Sequence, residues 1–187
     1  MTLTICICSL VERRDFLNKI LNQLTPQLNS EVELLILTDN RKRSLGKKRQ
    51  NALNIAQGEY LVFMDDDDRI TSDYVSELLN AIKNNTDTIT YQVEVTINGK
   101  DNKVCLYDMN YGKDFDTNEN YHRLPNHICC TKLSIMREVG FKDITFGEDA
   151  DYAKRLKPLL KTQTSIDKIL YYYDFNTNTT TTRGNNG

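Results

Sequence analysis

The apolar run Tyr60–Met64 ends without a break in four consecutive aspartates, Asp65, Asp66, Asp67 and Asp68. Five apolar residues in a row read as a strand buried on both faces. Four adjacent carboxylates repel one another unless they are solvated or matched by positive charge. A strand of that kind belongs in an α/β sheet, where ligands gather beyond the carboxyl ends of the strands. The natural partner of the cluster is a hard divalent cation, Mg²⁺ or Mn²⁺, which usually arrives with phosphate. The run therefore points to a metal-dependent enzyme acting on a nucleotide or phosphate-bearing substrate. The plainer reading is a solvated loop behind an ordinary strand.

The flanking sequence supports the α/β expectation. Leu3–Cys8 reads as a first buried strand. Asp15–Leu24 follows as a helix with Phe16, Leu17, Ile20, Leu21 and Leu24 on one face. Val32–Leu37 is a second strand that stops near Asp39, and Leu45–Ala56 is a basic helix closed by Gly58. After the aspartates, Ser72 or Thr71 is placed to cap a helix over Tyr74–Lys83. Alternating strands and helices predict a largely parallel sheet flanked by helices. In the second half, Thr88–Ile97 and Lys103–Tyr107 read as a hairpin around Asn98-Gly99. Residues 108–123 read as a polar loop, Ile128–Thr131 as a short strand and Lys132–Val139 as a helix. Ala150–Leu160 reads as a helix ended or kinked by Pro158, and Ile166–Tyr173 closes the organised part. Residues 176–187 are polar, expected to be a mobile tail or a segment that folds over substrate.

Composition narrows the partners. At 187 residues the chain suits one domain, and 39% hydrophobic with 27% charged residues describes a folded, soluble protein. A net charge of −2 argues against a stable nucleic-acid complex. Met1–Ile5 lacks a cationic leader, and no apolar run approaches a transmembrane span. Five cysteines, an odd number, fit cytoplasmic thiols better than a disulfide framework. Oligomeric state is not legible.

Several residues invite chemistry. Asp39 either accepts hydrogen bonds from a base or ribose or caps the next turn. Lys48 and Arg49, if they point inward, offset a diphosphate or the aspartates; pointing outward, they are a solvated face. Alternation along an extended segment would let Asp65 and Asp67 share one environment while Asp66 faces another. Asp68 would support the ligands or cap the following helix. Glu148 and Asp149 open a helix behind Gly147. Asp149 is there either an N-cap or a general base for an acceptor hydroxyl. Asp151 faces solvent or pairs with Lys154 or Arg155. His127 precedes Cys129 and Cys130, but adjacent cysteines lack zinc-ligand spacing. His127 is instead placed on the acceptor side or near a metal.

The stretch Gly46-Lys47-Lys48-Arg49-Gln50-Asn51 through Gly58-Glu59-Tyr60 to Asp65-Asp66-Asp67-Asp68, followed later by Phe146-Gly147-Glu148-Asp149, resembles the inverting family 2 glycosyltransferases of GT-A fold. The likeness covers roughly residues 3–160. It implies one catalytic domain over residues 1–175, with a nucleotide-sugar-binding half (1–97) and an acceptor-side half (98–175). It also implies that the end of the first strand, at Ser9, and Asp39 bind the nucleoside. Asp65-Asp66-Asp67 matches the family's Asp-x-Asp element, with Asp67, and Asp65 beside it, as metal ligands. Asp149 matches the catalytic base, with Glu148 beside it. The family's late histidine or Gln-x-x-Arg-Trp element is missing, and Arg183 is the residue available to replace it.

The resulting expectation is a hexosyltransferase using a UDP-sugar with Mn²⁺ or Mg²⁺, in which Asp149 takes the acceptor's proton. Lys48, Arg49 and His127 would assist at the donor. The rival readings are a sugar-nucleotide-binding module without transfer activity and a metal-dependent nucleotidyltransferase. Cys8–Arg13 carries no glycine-rich phosphate loop, which argues against the latter.

Overall fold

A computed structural model describes residues 1–176. Strand β1 (Leu3–Leu10) lies at the centre of a parallel trio, with β2 (Val32–Asp39) on one side and β3 (Tyr60–Asp65) on the other. Between them run α1 (Arg14–Leu24) and α2 (Leu45–Ile55). A two-residue strand β4 (Arg69–Ile70), helix α3 (Tyr74–Ile82) and the hairpin β5 (Thr88–Ile97) and β6 (Lys100–Tyr107) follow. The chain continues through β7 (Phe115–Asp116), β8 (Asn120–Arg123), β9 (Cys130–Lys132), α4 (Leu133–Val139), α5 (Glu148–Leu156) and β10 (Gln163–Phe175).

The ten described strands form one sheet in the order β2-β1-β3-β9-β5-β6-β8-β7, with β10 pairing β5 and β4. Its first half is parallel, as expected. Beyond β3 it becomes mixed: β9 is antiparallel to both β3 and β5, whereas β10 runs parallel to β5. The two halves of the chain thus interleave in a single sheet.

Strict alternation on the central strands builds two cores. Leu3, Ile5 and Ile7 of β1 and Tyr60, Val62 and Met64 of β3 pack with α1 and α3. Cys6, Leu61 and Phe63 face the other way, against Ala52 and Leu53 of α2, Met136 of α4 and Tyr152 and Leu156 of α5. Because successive side chains on a strand alternate, Asp65 at the end of β3 continues the Leu61–Phe63 face, toward α2 and α5.

Three local expectations are corrected. Residues 108–123 carry β7 and β8; β8 pairs with β6 over Val104–Tyr107 and β7 pairs with β8, contacts invisible in local composition. Neither Thr71 nor Ser72 caps α3: the N-cap is Asp73, without a side-chain cap bond, and Thr71 donates instead to Asp73 (2.7 Å). Helix α5 starts two residues early, at Glu148, and ends at Leu156, with Pro158 inside a following 3₁₀ turn. The hairpin turn stands as expected, with Asn98 and Gly99 both at positive φ.

Candidate active site

Parallel strands end on the same edge of a sheet. Register therefore sets Leu10 beside Asp39 and Cys8 beside Asp65. The N-terminus of α2 is brought to this edge by Ser44, whose Oγ accepts from the Lys47 amide (3.0 Å) and donates to Asp143 (2.5 Å). Gly46 is needed there because a Cβ would sit 1.9 Å from the Lys142 carbonyl oxygen. The Gly46 amide donates to the Ile144 carbonyl at 3.0 Å. Helix α2 is thereby fastened to the loop leading into Gly147, Glu148 and Asp149. Gly147, at φ 76°, makes the left-handed turn that opens α5.

Both cations of α2 point inward. Lys48 donates to the Ser9 carbonyl (2.8 Å) and lies 3.4 Å from Asp39, whose other oxygen accepts from the Arg43 amide (2.9 Å) and Nε (3.2 Å). Arg49 is 1% exposed and bridges two elements, with Nη1 on Glu148 at 2.7 Å and Nη2 on Asp65 at 3.1 Å. Its guanidinium lies against Phe63 and Phe141 (5.6 and 5.9 Å to the ring centres), and Phe141 stacks on Tyr152 at 4.2 Å. Buried charge needs a partner, and here one arginine serves two carboxylates.

The four aspartates find four different environments. Asp65 meets Arg49 and His127 (Nε2, 3.4 Å). Asp66 accepts from Ser9 (2.5 Å) and from Arg13, through Nε at 2.9 and 3.0 Å and Nη2 at 2.7 Å. Asp67 also contacts Arg13, at 2.9 Å. Asp68 accepts from the Tyr171 hydroxyl (2.7 Å), which itself accepts from the Asp65 amide (3.0 Å). The expected alternation fails because β3 ends at Asp65 and a turn begins at Asp66, so Asp66 and Asp67 share a partner. Asp68 does not cap α3, which starts at Tyr74.

These surroundings set proton affinities. Burial opposes ionisation of Asp65, but His127 and then Arg49 hold its carboxyl well below the ordinary range. Burial raises Asp67 against the pull of Arg13, and the neighbouring Asp65 and Asp66 add to the rise. Burial likewise raises Glu148, against the pull of Arg49. At Asp39 the cost of burial is overcome by Arg43 and Lys48, and its carboxyl is lowered.

Two cavities share this edge. The first, about 480 Å³, is polar and is lined by Ser9, Arg13, Lys48, Arg49, Asp66 and Asp67 among others. The second, about 540 Å³, is walled by Val93, Val95, Tyr107, Tyr121 and Phe175, with Asp68, Asp114, Arg123 and Asn126 as polar points. Asp65, His127, Asp149 and Tyr173 line both. A larger cavity of about 730 Å³ lies where the parallel strands begin, beside Thr2 and Glu59, and its Gln23 and Gln27 side chains already bond the Ile70 and Val75 amides.

Ser9, Lys48, Arg49, Asp65, Asp66, Asp67, His127, Glu148 and Asp149 thus gather in one place, with Asp39 at its Lys48 end. Asp149 is not the N-cap of α5, a position taken by Gly147; its carboxylate accepts from the next amide, that of Ala150 (2.8 Å). Asp151 pairs with Arg155 and with Lys142, not with Lys154. Arg183 lies outside the described residues. Sequence reading passed over Arg13, Tyr171 and Tyr173. Arg13 carried one usable signal, a cation directly behind the carboxyl end of the first strand.

Among the described residues, no three His, Cys, Asp or Glu side chains form a group able to enclose a metal. Asp67 and Asp65 are two carboxylates on one cavity wall. That donor set suits a hard divalent ion that takes its remaining ligands from phosphate and water.

The parallel strands, acidic edge and paired cavities define a GT-A fold. A family model described as glycosyl transferase family 2 matches residues 12–145, and the chain belongs to that family. Solved structures agree in fold. Staphylococcus aureus TarS 1–349 in complex with UDP-GlcNAc superposes with a TM-score of 0.73 at 16% identity, covering 93% of this chain and 58% of that one. The same TarS segment with UDP gives 0.72 at 16% identity, over 93% and 60%. A longer S. aureus TarS structure gives 0.72 at 16% identity, over 93% and 37%. The chain therefore spans at most 60% of the length of these structures. No curated protein matches it by sequence.

Proposed function

We propose that this chain is an inverting glycosyltransferase that moves a sugar, most simply a hexose from a UDP-sugar, onto an acceptor hydroxyl with a divalent ion present. The observation that carries this reading is the junction of the two cavities at Asp65, His127, Asp149 and Tyr173. A transfer enzyme needs two substrates to meet at one point, and a binding module needs one cavity. The polar cavity suits the donor: Asp39 and Ser9 with Lys48 lie at the nucleoside end, and Arg13 and Arg49 face the diphosphate. Asp67 and Asp65 would hold the metal, which supplies charge neutralisation for the departing diphosphate. The UDP and UDP-GlcNAc complexes of TarS support a uridine donor.

Asp149, which lines both cavities, is the group placed to act as base. Glu148 beside it is engaged by Arg49, which suits it to holding the start of α5. The acceptor oxygen attacks C1 of the sugar from the second cavity and its proton passes to Asp149. The C1–O bond to the nucleoside diphosphate breaks on the opposite face, inverting the configuration. A screen of nucleotide-sugars for hydrolysis and transfer, with Mn²⁺ and with EDTA, tests this. Asp149→Asn is expected to lower kcat by about 10²–10⁴-fold, the usual range for loss of a general base, with UDP affinity unchanged. Turnover near wild type in that variant would move the base elsewhere. Full activity in EDTA would remove the metal. UDP binding without turnover of any donor would leave a binding module.

A further inference from the structure

Arg13 sits on the turn between β1 and α1, outside the motifs that mark the family, and holds two of the four aspartates. Its Nε and Nη2 grip Asp66 at 2.7–3.0 Å, and the same Nη2 reaches Asp67 at 2.9 Å. The ring of Phe16 supports the guanidinium at 4.6 Å. The two carboxylates are not equivalent. Asp66 is 5% exposed and accepts from Ser9 as well as Arg13, so it belongs to the frame. Asp67 is 17% exposed and faces the donor cavity.

A bare divalent ion approaching Asp67 meets a fixed positive charge already on that carboxylate. A nucleoside diphosphate changes the balance, since its phosphate oxygens supply ligands to the ion and a second partner to the guanidinium. We propose that Arg13 is a displaceable counter-ion of Asp67, which keeps free metal off the site and yields the carboxylate only when a nucleoside diphosphate arrives with the ion. Metal and nucleotide then bind with positive coupling, and by linkage each raises the affinity of the other by the same factor. Arg13 is a positioning residue that sets the order of loading. The inference rests on the donor-cavity reading above.

The test is calorimetric titration of the full chain with Mn²⁺ alone, UDP alone and Mn²⁺ in saturating UDP, for wild type, Arg13→Met and Arg13→Lys, with thermal unfolding as the folding control. Wild type is expected to bind Mn²⁺ weakly alone and about tenfold or more tightly with UDP, within the usual span of such coupling. Arg13→Met should bind Mn²⁺ alone about fivefold or more tightly and lose a matching part of the coupling. Arg13→Lys, which keeps the charge, should retain it. If Arg13→Met fails to fold, Arg13→Gln, neutral but still a donor to Asp66, is judged by the same comparison. Unchanged Mn²⁺ affinity and unchanged coupling in a folded neutral variant overturn the inference alone. A wild-type chain whose UDP affinity ignores Mn²⁺ overturns the metal-assisted donor reading as well.

Discussion

The two cavities that meet at Asp149 are built on opposite principles. Around the polar cavity the carboxylates are matched by cations: Lys48 and Arg43 at Asp39, Arg49 at Asp65 and Glu148, Arg13 at Asp66 and Asp67. Around the second cavity the walls are aliphatic and aromatic, and among the described residues buried atoms without a hydrogen-bond partner occur on both sides: Arg49 Nε at the polar cavity, Asp68 Oδ1 at the apolar one and His127 Nδ1 where the two meet. The polar cavity is a preformed lattice of opposite charges. The second cavity is a shaped, largely apolar space with a few polar points, the usual anatomy of a small-molecule pocket.

The largest way to break this contrast is Arg49→Met. Removing one partner of a buried ion pair typically costs about 3–5 kcal/mol, and here two carboxylates lose their cation together. Chemical denaturation should show a loss of that order, and a loss under 1 kcal/mol would mean that Asp65 and Glu148 find other partners. The acceptor wall should answer differently. Tyr121→Ala removes aromatic contact of about 0.5–1.5 kcal/mol, so the acceptor KM should rise a few-fold to tenfold. Donor hydrolysis by water should stay at the wild-type rate. Equal losses in hydrolysis and transfer would place Tyr121 on the donor side.

The last test concerns acid. The folded carboxyl of Asp65 is held below its unfolded value of about 3.9. Below that pH the unfolded chain binds the extra proton, so the contribution is complete above about pH 4 and is lost as pH falls toward the folded value. Asp65→Asn should flatten the acid limb of stability against pH; an identical limb would assign that slope to other carboxylates.

The same contrast explains what could be read from the sequence. Asp65–Asp68 behind β3 and the Lys48-Arg49 pair on α2 were legible because strand burial and helix position are local. Parallel topology then delivered both to one edge. The direction of each aspartate was not legible, since the partners Arg13 and Tyr171 lie 53 and 103 residues away. The apolar cavity was hidden for the same reason. Its walls come from β5, β6, β8 and β10, and the pairing of β8 with β6 leaves no period in the polar stretch that looked like loop.

Arg49 rests against Phe63 and Phe141, with Tyr152 stacked behind. That aromatic floor makes packing and electrostatics a single variable here. Trimming Phe141 changes no charge, yet it would let water toward the guanidinium and weaken its hold on two carboxylates at once. A change scored as conservative hydrophobic drift would then act as a charge mutation at two places at once, Asp65 at the end of β3 and Glu148 at the start of α5.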